Sequence, residues 1–117
     1  MIRGGAALMA WLLLVGAIVS EVTATLALRG IANGIRPVPA LIVAAGYLIS
    51  FALMAMALRT LNVGIVYAVW AGAGTAGTAA MAAVLYDERL NLTAVAGMVV
   101  IVVGVAILAS SGAATHE

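Results

Sequence analysis

The sequence predicts an all-α integral membrane protein, one transmembrane domain of four spanning helices over 117 residues. Two observations carry that prediction. The chain is 67% hydrophobic and 8% charged, with a mean hydropathy of +1.29, whereas soluble domains hold about 45–50% apolar and about 25% charged residues. A core this small could not hide so much apolar surface from water. The few charges also divide the chain into four apolar stretches, each near the roughly 20 residues that a helix needs to cross a bilayer core about 30 Å thick.

The first span runs over residues 8–28 and is interrupted only by Glu21. The second, over 39–58, and the third, over 63–86, carry no charge, and neither does the fourth, over 92–109. Membrane strands would show about ten residues of alternating polarity; these stretches are continuously apolar and longer, so helices are expected. Short connectors make successive helices antiparallel neighbours. Gly30 and Gly34 break the chain after the first span, and Arg36-Pro37-Val38-Pro39 restarts it, since proline suits a first helical turn. Asn62 and Asn91 are expected to cap the third and fourth helices. Arg3 ahead of an apolar run suggests a secretory leader, but the run is too long and contains Glu21. The tail Ser110–Glu117 is small and polar and is expected to fray.

Whole classes of function drop out. A net charge of +1 offers no footprint for nucleic acid, and without cysteine there is no thiol chemistry. The single histidine, His116, lies in the tail, no nucleophile–base pair can be assembled from the spans, and no metal cluster or cofactor motif is present. The third-span glycines lack the Lys-Ser/Thr of a phosphate loop. An enzyme is not expected, and the surrounding partner is membrane lipid.

Glu21 is the one formal charge inside a span. Counted from Leu8 at 1.5 Å per residue, it sits about 20 Å along the helix, well within hydrocarbon. A charge there is expensive and its default reading is functional. Lipid penalises the ionised carboxylate, and a neighbouring cation relieves that penalty. One side chain can therefore hold a proton or a cationic ligand in turn. Polar glue between helices is the alternative, but Gln or Ser would serve that more cheaply.

On a helical wheel Glu21 shares its face with Ala10, Leu14, Ala17, Ile18, Ala24, Thr25 and Leu28, mostly small or slim side chains that leave room around the carboxylate. Tyr47 lies mid-way along the second span; Tyr67 and Trp70 share a face of the third. Aromatic faces attract cations, although the same rings could simply fill a core. Gly72, Gly74 and Gly77 weaken the third helix and permit bending or close packing. Gly97 and Gly104 form a contact stripe on the fourth, within one chain or between two. Positive charge barely orients the chain: Arg3 and Arg59 would lie on one side, Arg29, Arg36 and Arg89 on the other.

Taken in order and spacing, five stretches resemble the small multidrug resistance exporters: Ala17-Ile18-Val19-Ser20-Glu21-Val22, Arg29 with Arg36-Pro37-Val38-Pro39, the segment Gly64–Gly72, Glu88-Arg89-Leu90, and the segment Gly97–Val105. The resemblance implies a proton-coupled antiporter of the bacterial inner membrane, exporting lipophilic and quaternary ammonium cations, built as an antiparallel homodimer or a pair of unlike chains. It implies that Glu21 binds protons and substrate in turn. Tyr67 and Trp70 would line the pocket with Tyr47 and Ser50 and the Glu21 face residues Leu14, Ala17, Ile18, Ala24 and Thr25. Gly72 and Gly74 would mark the helix bend, and Gly97 and Gly104 the dimer contact. Val22-Thr23-Ala24-Thr25 lacks the tryptophan of the guanidinium exporters, and Thr25 and Tyr47 look like the quaternary-ammonium branch. Against that, Ala24 stands where a glycine is common, and Ala76-Gly77-Thr78-Ala79 is similar to the guanidinium branch. Guanidinium export is the nearest alternative; a proton-carrying rotor proteolipid and a non-transporting scaffold are alternatives of other classes.

Overall fold

Four helices make up the computed structural model, which describes the backbone of residues 2–111 and the side chains of 5–111. The tail beyond Ser111, His116 included, and the side chain of Arg3 lie outside them. Helix α1 spans Ile2–Arg29, α2 Pro37–Ala57, α3 Val63–Leu85 and α4 Leu92–Ser110. Each is long and apolar enough to cross a membrane, and no strand forms among the described residues.

The helix starts differ in chemistry. Pro37 opens α2 after an extended Arg36, and Pro39 follows in the same first turn, where the N–H groups have no intrahelical acceptor and their loss does no harm. Asn91 caps α4, its side-chain oxygen accepting from Ala94 N at 2.8 Å. Asn62 occupies the cap position of α3 without a side-chain cap bond. It serves instead through its backbone carbonyl, which accepts from Val66 N at 2.9 Å. After α3, Asp87 turns the chain with φ of 54°, a left-handed conformation that Asp tolerates better than most residues.

Across the molecule the helices run in the order α2, α1, α3, α4, with α1 packed on both α2 and α3 and α4 leaning chiefly on α3. The result is a slab of 48 × 35 × 18 Å. The expectation that all chain neighbours would also be packing neighbours is met most fully at the first and last connectors; α3 packs mainly on α1 and meets α2 through side chains such as Trp70, which reaches Ser50 and Phe51. The reason is side-chain size. Between α1 and α2, Ala24 is fully buried beneath Gly46, where an added Cβ would fall 2.8 Å from that of Ala24. Close backbone approach of this kind drives helix association in lipid. Ala24 is thus matched by a glycine across the contact. The core gathers at one end, where Ala10 and Leu14 of α1 meet Ala57, Leu61, Val66 and Val69. Helix α4 buries nothing fully.

Candidate functional site

Glu21 points between α1 and α3, and its two oxygens have unlike surroundings. Oε1 accepts from Thr25 Oγ1 at 2.9 Å, and Thr25 Oγ1 lies 2.7 Å from the Tyr47 hydroxyl. Thr25 has one proton to give. When it donates to an ionised Glu21, Tyr47 must donate to Thr25, so the chain runs Tyr47 to Thr25 to Glu21. A protonated Glu21 can donate to Thr25 instead, and every bond in the chain then reverses. Both proton states of the carboxyl are served without moving a backbone atom. These residues lie one turn apart on α1 and opposite on α2, which is why a helical wheel found Thr25 but gave no partner for Tyr47.

Oε2 is buried and has no hydrogen-bond partner. It lies against Gly74 of α3, where a Cβ would stand 2.6 Å away. Only glycine leaves that space. Gly72 does something different: a Cβ there would meet Val105 at 2.7 Å and Ile101 at 3.2 Å, so its bareness lets α4 approach α3. Helix α3 runs unbroken through both glycines.

The carboxylate faces a cavity of about 410 Å³ that Thr25, Trp70, Gly74 and Thr78 help to line. At its rim stands Glu88, from the connector between α3 and α4. Glu88 Oε2 pairs with Arg29 Nε at 3.5 Å. The Arg29 guanidinium also sits over the Tyr86 ring, 4.3 Å from its centre, and the Tyr86 hydroxyl donates to Leu26 O at 2.8 Å. With both partners half exposed, such a pair adds little stability; its effect is to hold the connector against the end of α1.

Four rings continue from the cavity. Trp70 lies 5.9 Å from Tyr67 and 6.0 Å from Phe51, and Phe51 stacks on Tyr47 at 6.5 Å. Phe51 is absent from the sequence reading, although its i, i+4 spacing from Tyr47 places both on one face of α2. Tyr67 is 62% exposed, so this apolar shelf is open on the side away from the core.

Other anticipated residues take supporting places. Ser50 is fully buried, donating to Ala17 O at 2.6 Å and accepting from Trp70 Nε1 at 3.2 Å. It fixes the indole rather than lining the cavity. Leu14, Ala17 and Ala24 are fully buried, and Ile18 packs against the core; none of the four lines the cavity. Gly97 and Gly104 have open space where their Cβ atoms would be, so that stripe faces away from its own chain.

Comparison with known proteins gives the family. The family model described as Small Multidrug Resistance protein matches residues 9–101. The chain belongs to the small multidrug resistance family. Among its relatives, the quaternary ammonium compound-resistance protein QacF of Klebsiella aerogenes is 43% identical over 84% of this chain and 89% of its own length. A multidrug transporter of Pseudomonas aeruginosa is 38% identical over the same shares. The nicotine metabolites export pump subunit NepA of Paenarthrobacter nicotinovorans is 41% identical over 90% of each chain. As a member of the small multidrug resistance family with four membrane-spanning helices, this is a multi-pass membrane protein.

Proposed function

We propose that the protein is no enzyme but a proton-coupled antiporter of the bacterial inner membrane, exporting lipophilic and quaternary ammonium cations. The observation that carries this reading is the Glu21 carboxyl: one oxygen tied into a reversible hydrogen-bond chain, the other buried against Gly74 with no partner, on a residue that lines a cavity beside an aromatic shelf. A cation bound there has its charge met by the carboxylate and its apolar body met by Trp70, Tyr67 and Phe51. A proton on Glu21 removes the charge that holds the cation. The two ligands therefore compete, and the exchange of one for the other couples their movements.

The names of the relatives support the substrate class. The working unit is an antiparallel dimer of this chain, or of this chain with a similar partner, joined along the glycines of α4. Two Glu21 side chains then face each other, and the scarcity of orienting arginines suits insertion both ways round. Alternating access requires bending near Gly72 and Gly74.

The test is proton release from protein in detergent on adding a quaternary ammonium. Proton release is expected to accompany cation binding, and cation affinity is expected to rise with pH, since the two ligands compete. Glu21→Gln should abolish both release and cellular resistance. Resistance kept in full by Glu21→Gln would refute the role given to this residue.

A further inference from the structure

Thr78 is the second side chain, besides Glu21, with a buried polar atom and no hydrogen-bond partner among the described residues. Both line the same cavity. Buried hydroxyls are rarely left bare, and each exception calls for an explanation. The usual resolution within a helix is a bond back to the carbonyl four residues earlier. This chain uses it repeatedly: Ser20 donates to Gly16 O, Thr23 to Val19 O and Thr75 to Ala71 O. Thr78 does not, although the carbonyl of Gly74 stands in the equivalent place. Gly74 is also the residue against which Glu21 Oε2 lies. Thr78 stands about one helical turn beyond Gly74 on α3, so the two bare oxygens border the same stretch of that helix.

We infer that Thr78 is a specificity residue which, with Glu21 Oε2, receives the N–H groups of a protonated amine or similar nitrogen cation. This rests on the reading of the Glu21 cavity as a cation site. Both oxygens can accept, and a head group with two or more N–H bonds satisfies them together. A quaternary ammonium presents only C–H groups. It gains the charge attraction and the aromatic shelf but leaves Thr78 bare. The hydroxyl therefore adds to the preference for N–H cations over fully alkylated ones of like size that Glu21 Oε2 already has as a charged acceptor, whereas the rings respond to charge and apolar area alone.

The experiment compares benzylammonium with benzyltrimethylammonium by calorimetric titration of the full-length protein in detergent, for wild type, Thr78→Val and Thr78→Ser. Valine keeps the shape and removes the hydroxyl. In Thr78→Val the affinity for benzylammonium should fall roughly tenfold, as for a lost hydrogen bond to a charged group, while that for benzyltrimethylammonium stays within about twofold. Thr78→Ser should restore the wild-type ratio. Equal losses for both probes would make Thr78 a packing residue, and no loss for either would make its hydroxyl merely solvated; each overturns the inference and leaves the cation site standing. A wild-type protein that binds neither probe overturns the cation site and the inference together.

Discussion

Helices α3 and α4 are joined by a short connector and packed on each other, yet they follow opposite rules. Helix α4 is the most apolar of the four and buries nothing; α3 is the least apolar and the most buried. In a water-soluble protein the order would be reversed, because burial follows hydrophobicity. Here lipid is the solvent and offers apolar side chains no reason to leave it. What a helix hides is instead what allows close approach or needs a polar partner. Helix α3 hides Gly74 and Ala76 and aims Trp70 and Thr78 at the cavity. Helix α4 presents valines, isoleucines and a bare glycine stripe outward.

Filling the glycine stripe should have the largest effect. In the proposed dimer, Gly97 and Gly104 meet the partner and touch nothing in their own chain. The double variant Gly97→Leu, Gly104→Leu should leave each chain helical and inserted but convert dimer to monomer in detergent, abolishing cation binding with it. Light scattering coupled to size exclusion reads the mass and circular dichroism the helix content. A double variant that remains fully dimeric removes α4 from the interface.

Next in size is Gly74→Ala. The new methyl would overlap Glu21 Oε2, so the carboxylate must rotate away from the cavity and out of register with Thr25. Cation affinity should drop by roughly tenfold or more, equivalent to losing a charge-assisted contact. Gly72→Ala is the companion measurement. Its methyl strikes Val105 and Ile101, so it should destabilise the α3–α4 contact by about 1–3 kcal/mol with a smaller effect on affinity. Similar affinity losses in both would mean that the two glycines act only through the helix they share.

These two glycines also show where sequence reasoning stops. Four charge-poor lengths specify four helices, because lipid leaves a backbone few other ways to satisfy its polar groups. Glu21 stands out because no other charge shares its setting. Which helix packs on which is a different matter. Every face of every helix is apolar, so periodicity carries almost no information about contacts. Nothing in the chain says that Gly74 faces an acid while Gly72 faces a valine. Nor does it say that Ser50 is spent on Ala17 and Trp70, or that Thr78 forgoes the carbonyl that Thr75 takes. Phe51 is the exception, since its spacing from Tyr47 was available to read. Such choices are made by shape across a contact, where a single methyl decides the outcome.

The smallest expected effect contrasts two faces of one helix. Ser50 and Leu48 lie two residues apart on α2, the first fully buried and the second 71% exposed. Ser50→Ala removes a hydroxyl that joins α1 to α3 through Ala17 and Trp70, leaving the indole N–H unpaired. A stability loss of about 1 kcal/mol is expected, since hydrogen bonds between membrane helices have modest net worth. Leu48→Ser adds a hydroxyl on the outward face and should change stability by less than that, because it disturbs no contact within the chain and its hydroxyl can bond back to its own helix. Thermal unfolding in detergent, followed by loss of cation binding, measures both. Should Leu48→Ser prove the more damaging, the outward face of α2 must itself be covered, and lipid would not be its only neighbour.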